Sequence, residues 1–196
     1  MAKIADLAAE LQLMAPMAGP AQLQKSLLEA VRMFMTETQV FTDRCEVFPQ
    51  TGVYEYLVDP PRCQFIVSIR GVFVNGDPVS YWTRDGHEPV VCVSMDLKES
   101  DCMMVDYAWS VTDIDCEVPD RIRQDPNYWW TVQNGALRMM HRMFGSTVVS
   151  PQRAGDADME WQNGVGNAKG RKIMGFSNSR PIMHRSRNRG RGMRWP

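Results

Sequence analysis

The sequence predicts an α+β fold: a four-helix body (two N-terminal and two C-terminal helices) with an inserted antiparallel β domain and an extended C-terminal arm. Three observations predict it. Apolar residues recur with a helical period at both ends of the body. Residues 38–118 are rich in β-branched and aromatic residues separated by turn signals. Residues 176–196 have no period and are rich in Arg, Gly, Ser and Asn. A chain of 196 residues, 44% hydrophobic and 23% charged, suits one domain with a real core.

In residues 1–37, Ile4, Leu7, Ala8, Leu11 and Met14 give the first helical stripe over 3–14. Pro16, Gly19 and Pro20 break the chain. Leu23, Leu27, Ala30, Val31 and Phe34 give a second stripe over 21–37.

The β region, 38–118, opens with Val40, Val47, Val53, Tyr54 and Tyr56, bounded by Pro49, Gly52 and Pro60-Pro61. Residues 63–69 and 71–74 read as a near-continuous apolar strand. Asn75-Gly76 is a hairpin signal, because a type I′ turn needs φ > 0 at both central positions. Residues 79–83 are expected to return as the partner of 71–74. Arg84-Asp85-Gly86 reads as a second turn, followed by strands at 89–95 and 102–112. Hairpin order predicts an antiparallel meander or a small sandwich.

Residues 119–175 return to helix. Pro119-Asp120 starts a short turn, and Asp125-Pro126 offers an N-cap with Pro at the first helical position. The helix over 126–144 aligns Trp129, Val132, Ala136, Leu137, Met140 and Phe144, and Gly145 stops it. A last helix from about Ser150-Pro151 to Met174 aligns Ala157, Trp161, Val165 and Ala168. Gly164 and Gly166 each weaken it by about 1 kcal/mol relative to Ala, which points either to close helix packing or to a kink.

No stretch approaches the ~20 apolar residues of a membrane helix. The N-terminus lacks a basic region followed by an apolar block, so no secretion signal is expected and the protein is expected to be soluble and made in the cytosol. Cys45, Cys63, Cys92, Cys102 and Cys116 are scattered and odd in number, without C-x-x-C spacing, and His87, His141 and His184 are far apart. Neither a metal site nor a disulfide framework is expected; the cysteines read as buried free thiols. Residues 164–172 fail the phosphate-loop pattern, since no Ser or Thr follows Lys169 and no strand precedes it. No G-x-S-x-G or H-E-x-x-H occurs. Asp113 with Asp115 and Asp156 with Asp158 read as solvated pairs. No catalytic residue, cofactor or metal is assigned.

Charge divides the chain. Residues 168–196 hold Lys169, Arg171, Lys172, Arg180, Arg185, Arg187, Arg189, Arg191 and Arg194 without an acid, whereas residues 1–167 hold 13 Lys+Arg against 23 Asp+Glu. An acidic body with a basic tail suits association with its own copies or with an acidic partner.

Val118-Pro119-Asp120, Tyr128-Trp129, Asn134-Gly135-Ala136-Leu137 and Met143-Phe144-Gly145, followed by a long final helix and a tail, carry a resemblance. In these segments and in its helix–helix, β, helix–helix order the chain resembles the head-to-tail adaptor (connector, tail tubular A-type) proteins of short-tailed bacteriophages. The resemblance implies a homo-oligomeric ring of twelve copies at the head–tail junction of the virion, beneath the portal protein and above the tail nozzle or tail tube protein. DNA would pass through its lumen without sequence-specific binding, and no membrane would be involved. The family pattern makes 176–196 the portal-docking arm, with Phe176, Arg180, Ile182, Met183, Arg185, Arg187, Arg189, Arg191, Met193, Arg194 and Trp195 as its contacts. Residues 40–115 would face the nozzle and neighbouring copies. Leu27, Val31, Phe34, Trp129, Ala136, Leu137, Met140, Phe144 and Trp161 would hold the helical body. The Gly164/Gly166 pair and the arginine density of the arm lie outside the family pattern.

The arm's composition predicts a segment that is disordered alone and orders on binding, with arginines for bidentate carboxylate pairing and apolar anchors for desolvated contact. The alternative reading is a nucleic-acid-binding protein that uses Arg189-Gly190-Arg191-Gly192, against which the acidic body weighs.

Overall fold

The computed structural model describes residues 2–84 and 89–179, the stretch 174–179 as helical backbone only. Among the described residues the fold is mixed α+β, with five helices and antiparallel sheets. The first apolar stripe forms a short helix, α1 (Ile4–Leu7), that tightens into a 3₁₀ segment over Ala8–Leu13. Helix α2 (Pro20–Thr38) follows, with Gly19 N–H donating to Gln22 Oε1 at 2.8 Å across its first turn. It ends where Gln39 takes a left-handed conformation at φ 47°.

Among the described residues seven strands then form two sheets: β1 (Thr42–Val47), β2 (Glu55–Leu57), β3 (Gln64–Val74), β4 (Asp77–Pro78), β5 (Tyr81–Arg84), β6 (Val90–Val93) and β7 (Met103–Val111). One sheet has the order β1-β7-β3-β4 and the other β2-β6-β5, all neighbours antiparallel. Tyr56, Val91 and Val93 from the small sheet pack with Val72, Val74, Met103 and Val105 from the large one, which makes a small sandwich.

The hairpin at Asn75-Gly76 forms, with φ of 53° and 88°. Its expected partner forms only at its start: Asp77–Pro78 pair back onto Phe73–Val74, and Val79 N–H donates to the Val72 carbonyl at 2.9 Å. Residues 81–84 instead pair with β6, and β3 spends its length on β7. Two bulges, at Ile66/Ser68 and Ile69/Gly71, bend β3 along that pairing. The turn at Asp85-Gly86 lies outside the described residues.

Helices α3 (Asp120–Gln124), α4 (Pro126–Phe144) and α5 (Pro151–Ser179) complete the chain. Asp125 caps α4 by accepting from Asn127 N–H at 3.0 Å, and Gly145 ends it at φ 81°. Helices α2, α4 and α5 pack on one another, and α2 also lies on β7. Strand β7 therefore serves both halves. Met103 and Val105 enter the sandwich, while Val111 joins the helical core. Arg32 clamps the far end of β7 through the carbonyls of Val111, at 3.2 Å, and Thr112.

The cysteines depart from expectation. Cys63 and Cys116 form a disulfide with a Cα separation of 5.5 Å. The reason is topological: Cys63 precedes β3, Cys116 follows its neighbour β7, and Thr112 N–H donates to the Cys63 carbonyl at 3.2 Å. Sequence spacing cannot show a pairing that depends on which strands are adjacent. Of the other three, Cys92 is buried, Cys45 half-buried and Cys102 exposed.

Candidate docking elements

Helix α5 is held by small residues on its partner. Trp161 is buried against Gly135 of α4, and a Cβ on Gly135 would overlap its ring. A Cβ on Gly164 would likewise collide with Thr131. Close helix packing therefore explains Gly164. Nothing lies within 4 Å of a Cβ on Gly166, so packing does not explain that residue. Phe34 meets the Trp161 ring edge-on at 6.3 Å, and the Arg138 guanidinium lies 5.8 Å from the same ring.

The polar face of α5 fastens it too. Arg171 Nη1 donates to Asp125 Oδ2 at 2.6 Å, tying α5 to the N-cap of α4. Its guanidinium and that of Arg121 lie 5.7 and 5.9 Å from the Tyr128 ring. Lys172 Nζ donates at 3.4 Å to the carbonyl of Thr38, the last residue of α2; burial, then the Arg70 charge, pushes its pKa down. Lys169 pairs with Glu37 at 3.7 Å. Three of the nine basic residues assigned to the tail thus bind α5 to the body. Ile173, one residue on, is exposed.

The helix runs to Ser179, five residues beyond its expected stop at Met174, so Phe176 lies on α5 rather than on an extended arm. Once a helix is anchored, each further residue adds a hydrogen bond, and Ser and Asn oppose this by only about 0.5 kcal/mol each. Arg180, Ile182, Met183, Arg185, Arg187, Arg189, Arg191, Met193, Arg194 and Trp195 lie outside the described residues. In the body, Leu27, Val31, Phe34, Ala136, Leu137, Met140 and Trp161 are buried together. Trp129 and Phe144 are half-buried at the edge of that cluster. Tyr128 takes the buried place expected of Trp129, because it faces Phe34 at 5.2 Å between centroids.

The β part presents a different surface. Residues 38–118 hold 14 Asp+Glu against 5 Lys+Arg, nearly all of the body's excess negative charge. A groove of about 510 Å³ runs between β1 and β2, lined by Glu46, Phe48, Glu55, Tyr56, Leu57 and Asp59 among others. Phe48 is 78% exposed and Leu57 53%. Both flanking strands are sheet edges. Sequence reading assigned this surface only broadly to 40–115. The signal available was acid interleaved with apolar residues, Glu46-Val47-Phe48 and Glu55-Tyr56-Leu57-Val58-Asp59.

Among the described residues no His, Cys, Asp and Glu cluster is placed to hold a metal. His141 Nδ1 sits 2.8 Å from the Val149 carbonyl, within the α4–α5 connection. His87 and His184 lie outside the described residues. Burial, with Asp43 and Cys45 adding, pushes the Tyr107 phenol up to about 12. Its hydroxyl donates to Gln64 Oε1 at 3.2 Å, which makes it a strut between β7 and β3. Burial likewise raises the Cys45 and Cys92 thiols, so neither is a ready nucleophile.

No family model matches the chain, and no curated protein matches it.

Proposed function

We propose that this protein is a structural adaptor of a phage virion, a ring that joins the portal vertex of the capsid to the tail and lets DNA pass through its lumen. One observation carries the reading: α5 is locked onto α2 and α4 as far as Lys172, and the sequence that follows it is arginine-rich while the body is acidic. On this reading α1 with its 3₁₀ turn, α2, α4 and α5 are the four-helix body of each copy, and the segment after Ser179 is the arm that docks into the portal. The acidic β part faces the nozzle and neighbouring copies. A negative lumen would repel phosphates and let the duplex slide. Repetition around twelve copies would multiply a modest contact per arm into firm attachment.

The test is mass, by light scattering, of the protein alone and mixed with a portal. The proposal expects a multi-copy assembly once the portal is present, whether or not the free protein is a monomer. A strict monomer that ignores the portal contradicts it. Salt-dependent binding of the tail to DNA, with none to a portal, would replace it with the nucleic-acid-binding reading that Arg189-Gly190-Arg191-Gly192 favours.

A further inference from the structure

The groove between β1 and β2 is flanked by two free sheet edges, an arrangement suited to an extended peptide. Val93 N–H donates to the Tyr54 carbonyl, and Val58 N–H to that of Pro89, so β2 reaches β6 through its even-numbered residues. The backbone groups of Glu55 and Leu57 consequently point away from β6, towards the groove. The groove is lined by three carboxylates, Glu46, Glu55 and Asp59, and by no Lys or Arg. Exposed Phe48 and Leu57 supply apolar contact. A peptide that fits must be extended, must carry cations along one face and must have a few apolar anchors.

The chain itself contains such a peptide. Arg185, Arg187, Arg189 and Arg191 recur at every second residue, so in an extended backbone all four lie on one face, about 7 Å apart. Gly190 and Gly192 permit close backbone approach, and Met193 and Trp195 follow as anchors. Lys172 touches Thr38, from which the chain runs through β1 to the groove wall at Phe48.

We propose that residues 185–195 dock into the β1–β2 groove of their own molecule, arginines against Glu46, Glu55 and Asp59, before assembly. The Arg84–Glu55 pair, 3.0 Å apart and exposed on both sides, yields to the incoming arginines. The docked segment covers two strand edges that would otherwise invite pairing between copies. It also sets a threshold that any receiving partner must exceed before it takes the arm. This deepens the adaptor reading in regulation, but the docking itself does not require a portal.

Limited trypsin digestion of the full chain, read by mass spectrometry at Arg185, Arg187 and Arg189, tests it against the free peptide 180–196 as reference. At low salt, cleavage in the chain is expected at least about tenfold slower than in the peptide, independent of protein concentration, and equal to it in 1 M salt. The triple substitution E46Q, E55Q and D59N is expected to abolish the protection, and Phe48→Ser, on an exposed side chain, to weaken it. Equal rates in chain and peptide at low salt would overturn the proposal whether or not the triple variant folds. Protection that grows with concentration would overturn the same-molecule assignment. Neither result bears on portal binding, which the mass measurement decides separately.

Discussion

The helical part and the β part of this molecule handle charge and surface in opposite ways. Outside 38–118, residues 1–167 hold 8 Lys+Arg against 9 Asp+Glu, close to neutral, and their large apolar side chains interlock through glycines. The β part carries the acid, leaves Phe48, Leu57 and Trp82 exposed, and ends both its sheets in open edges. Interlocking gives one arrangement of α2, α4 and α5 and a rigid base for whatever follows α5. Open acidic edges give a surface that others can bind. The contrast teaches that rigidity and receptiveness have been assigned to separate stretches of chain, joined mainly through β7 and Arg32.

The largest expected break in this contrast is Trp161→Ala. It empties the centre of the helical core, and urea unfolding should show a loss of about 3–5 kcal/mol. Hydrogen exchange should quicken in α2, α4 and α5 more than in β3 and β7. A loss below about 1 kcal/mol would mean that the ring is not the keystone described.

Replacing Cys63 and Cys116 with Ser removes a link across 53 residues and should cost about 2–4 kcal/mol. Because the bond lies where the N-terminal segment meets the sheets, with Ile4 N–H donating to the Cys116 carbonyl at 3.1 Å, both parts should loosen together. Thiol titration in denaturant without reductant should count the three cysteines left free, Cys45, Cys92 and Cys102. A count of five would refute the bond.

The two glycines sharpen the comparison, because their responses should differ in sign. Gly164→Ala drives a methyl into Thr131 and should destabilise by about 1–3 kcal/mol. Gly166→Ala meets open space and should stabilise by up to about 1 kcal/mol. Equal effects in thermal melts would mean that α5 does not lie against Thr131 as described.

The smallest effect belongs to the β part and to alkaline pH. Tyr107 is neutral when folded up to about 12, whereas an unfolded phenol ionises near 10. Its folded pKa is raised, so its contribution is complete below 10 and declines as pH rises from 10 towards 12. Stability curves of the parent and Tyr107→Phe should converge or cross in that window. Parallel curves would exclude Tyr107 as the group responsible.

Legibility in the sequence followed the range of the interactions. Helix α2, the cap at Asp125 and the stop at Gly145 depend on neighbours within a turn or two, and period and composition were enough to find them. The Asn75-Gly76 turn was legible for the same reason. Its partner strand was legible only as far as Val79, because residues 81–84 join β6 and β3 finds β7, some thirty residues away in the chain. The Cys63–Cys116 bond depends on that same strand adjacency. Lys169, Arg171 and Lys172 read as tail charge because charge alone does not show that Glu37, Asp125 and Thr38 wait on other helices. The β1–β2 groove needed the sheet order before its acids could be seen to share one face.

The adaptor reading turns on residues 180–196 being what a second protein grips. Electron microscopy of portal particles incubated with the full chain, and with a chain ending at Ser179, tests this most directly. The account predicts an added ring of density with the full chain and bare portals with the shortened one, whose body should still fold and melt as before. A complete ring built by the shortened chain would contradict it.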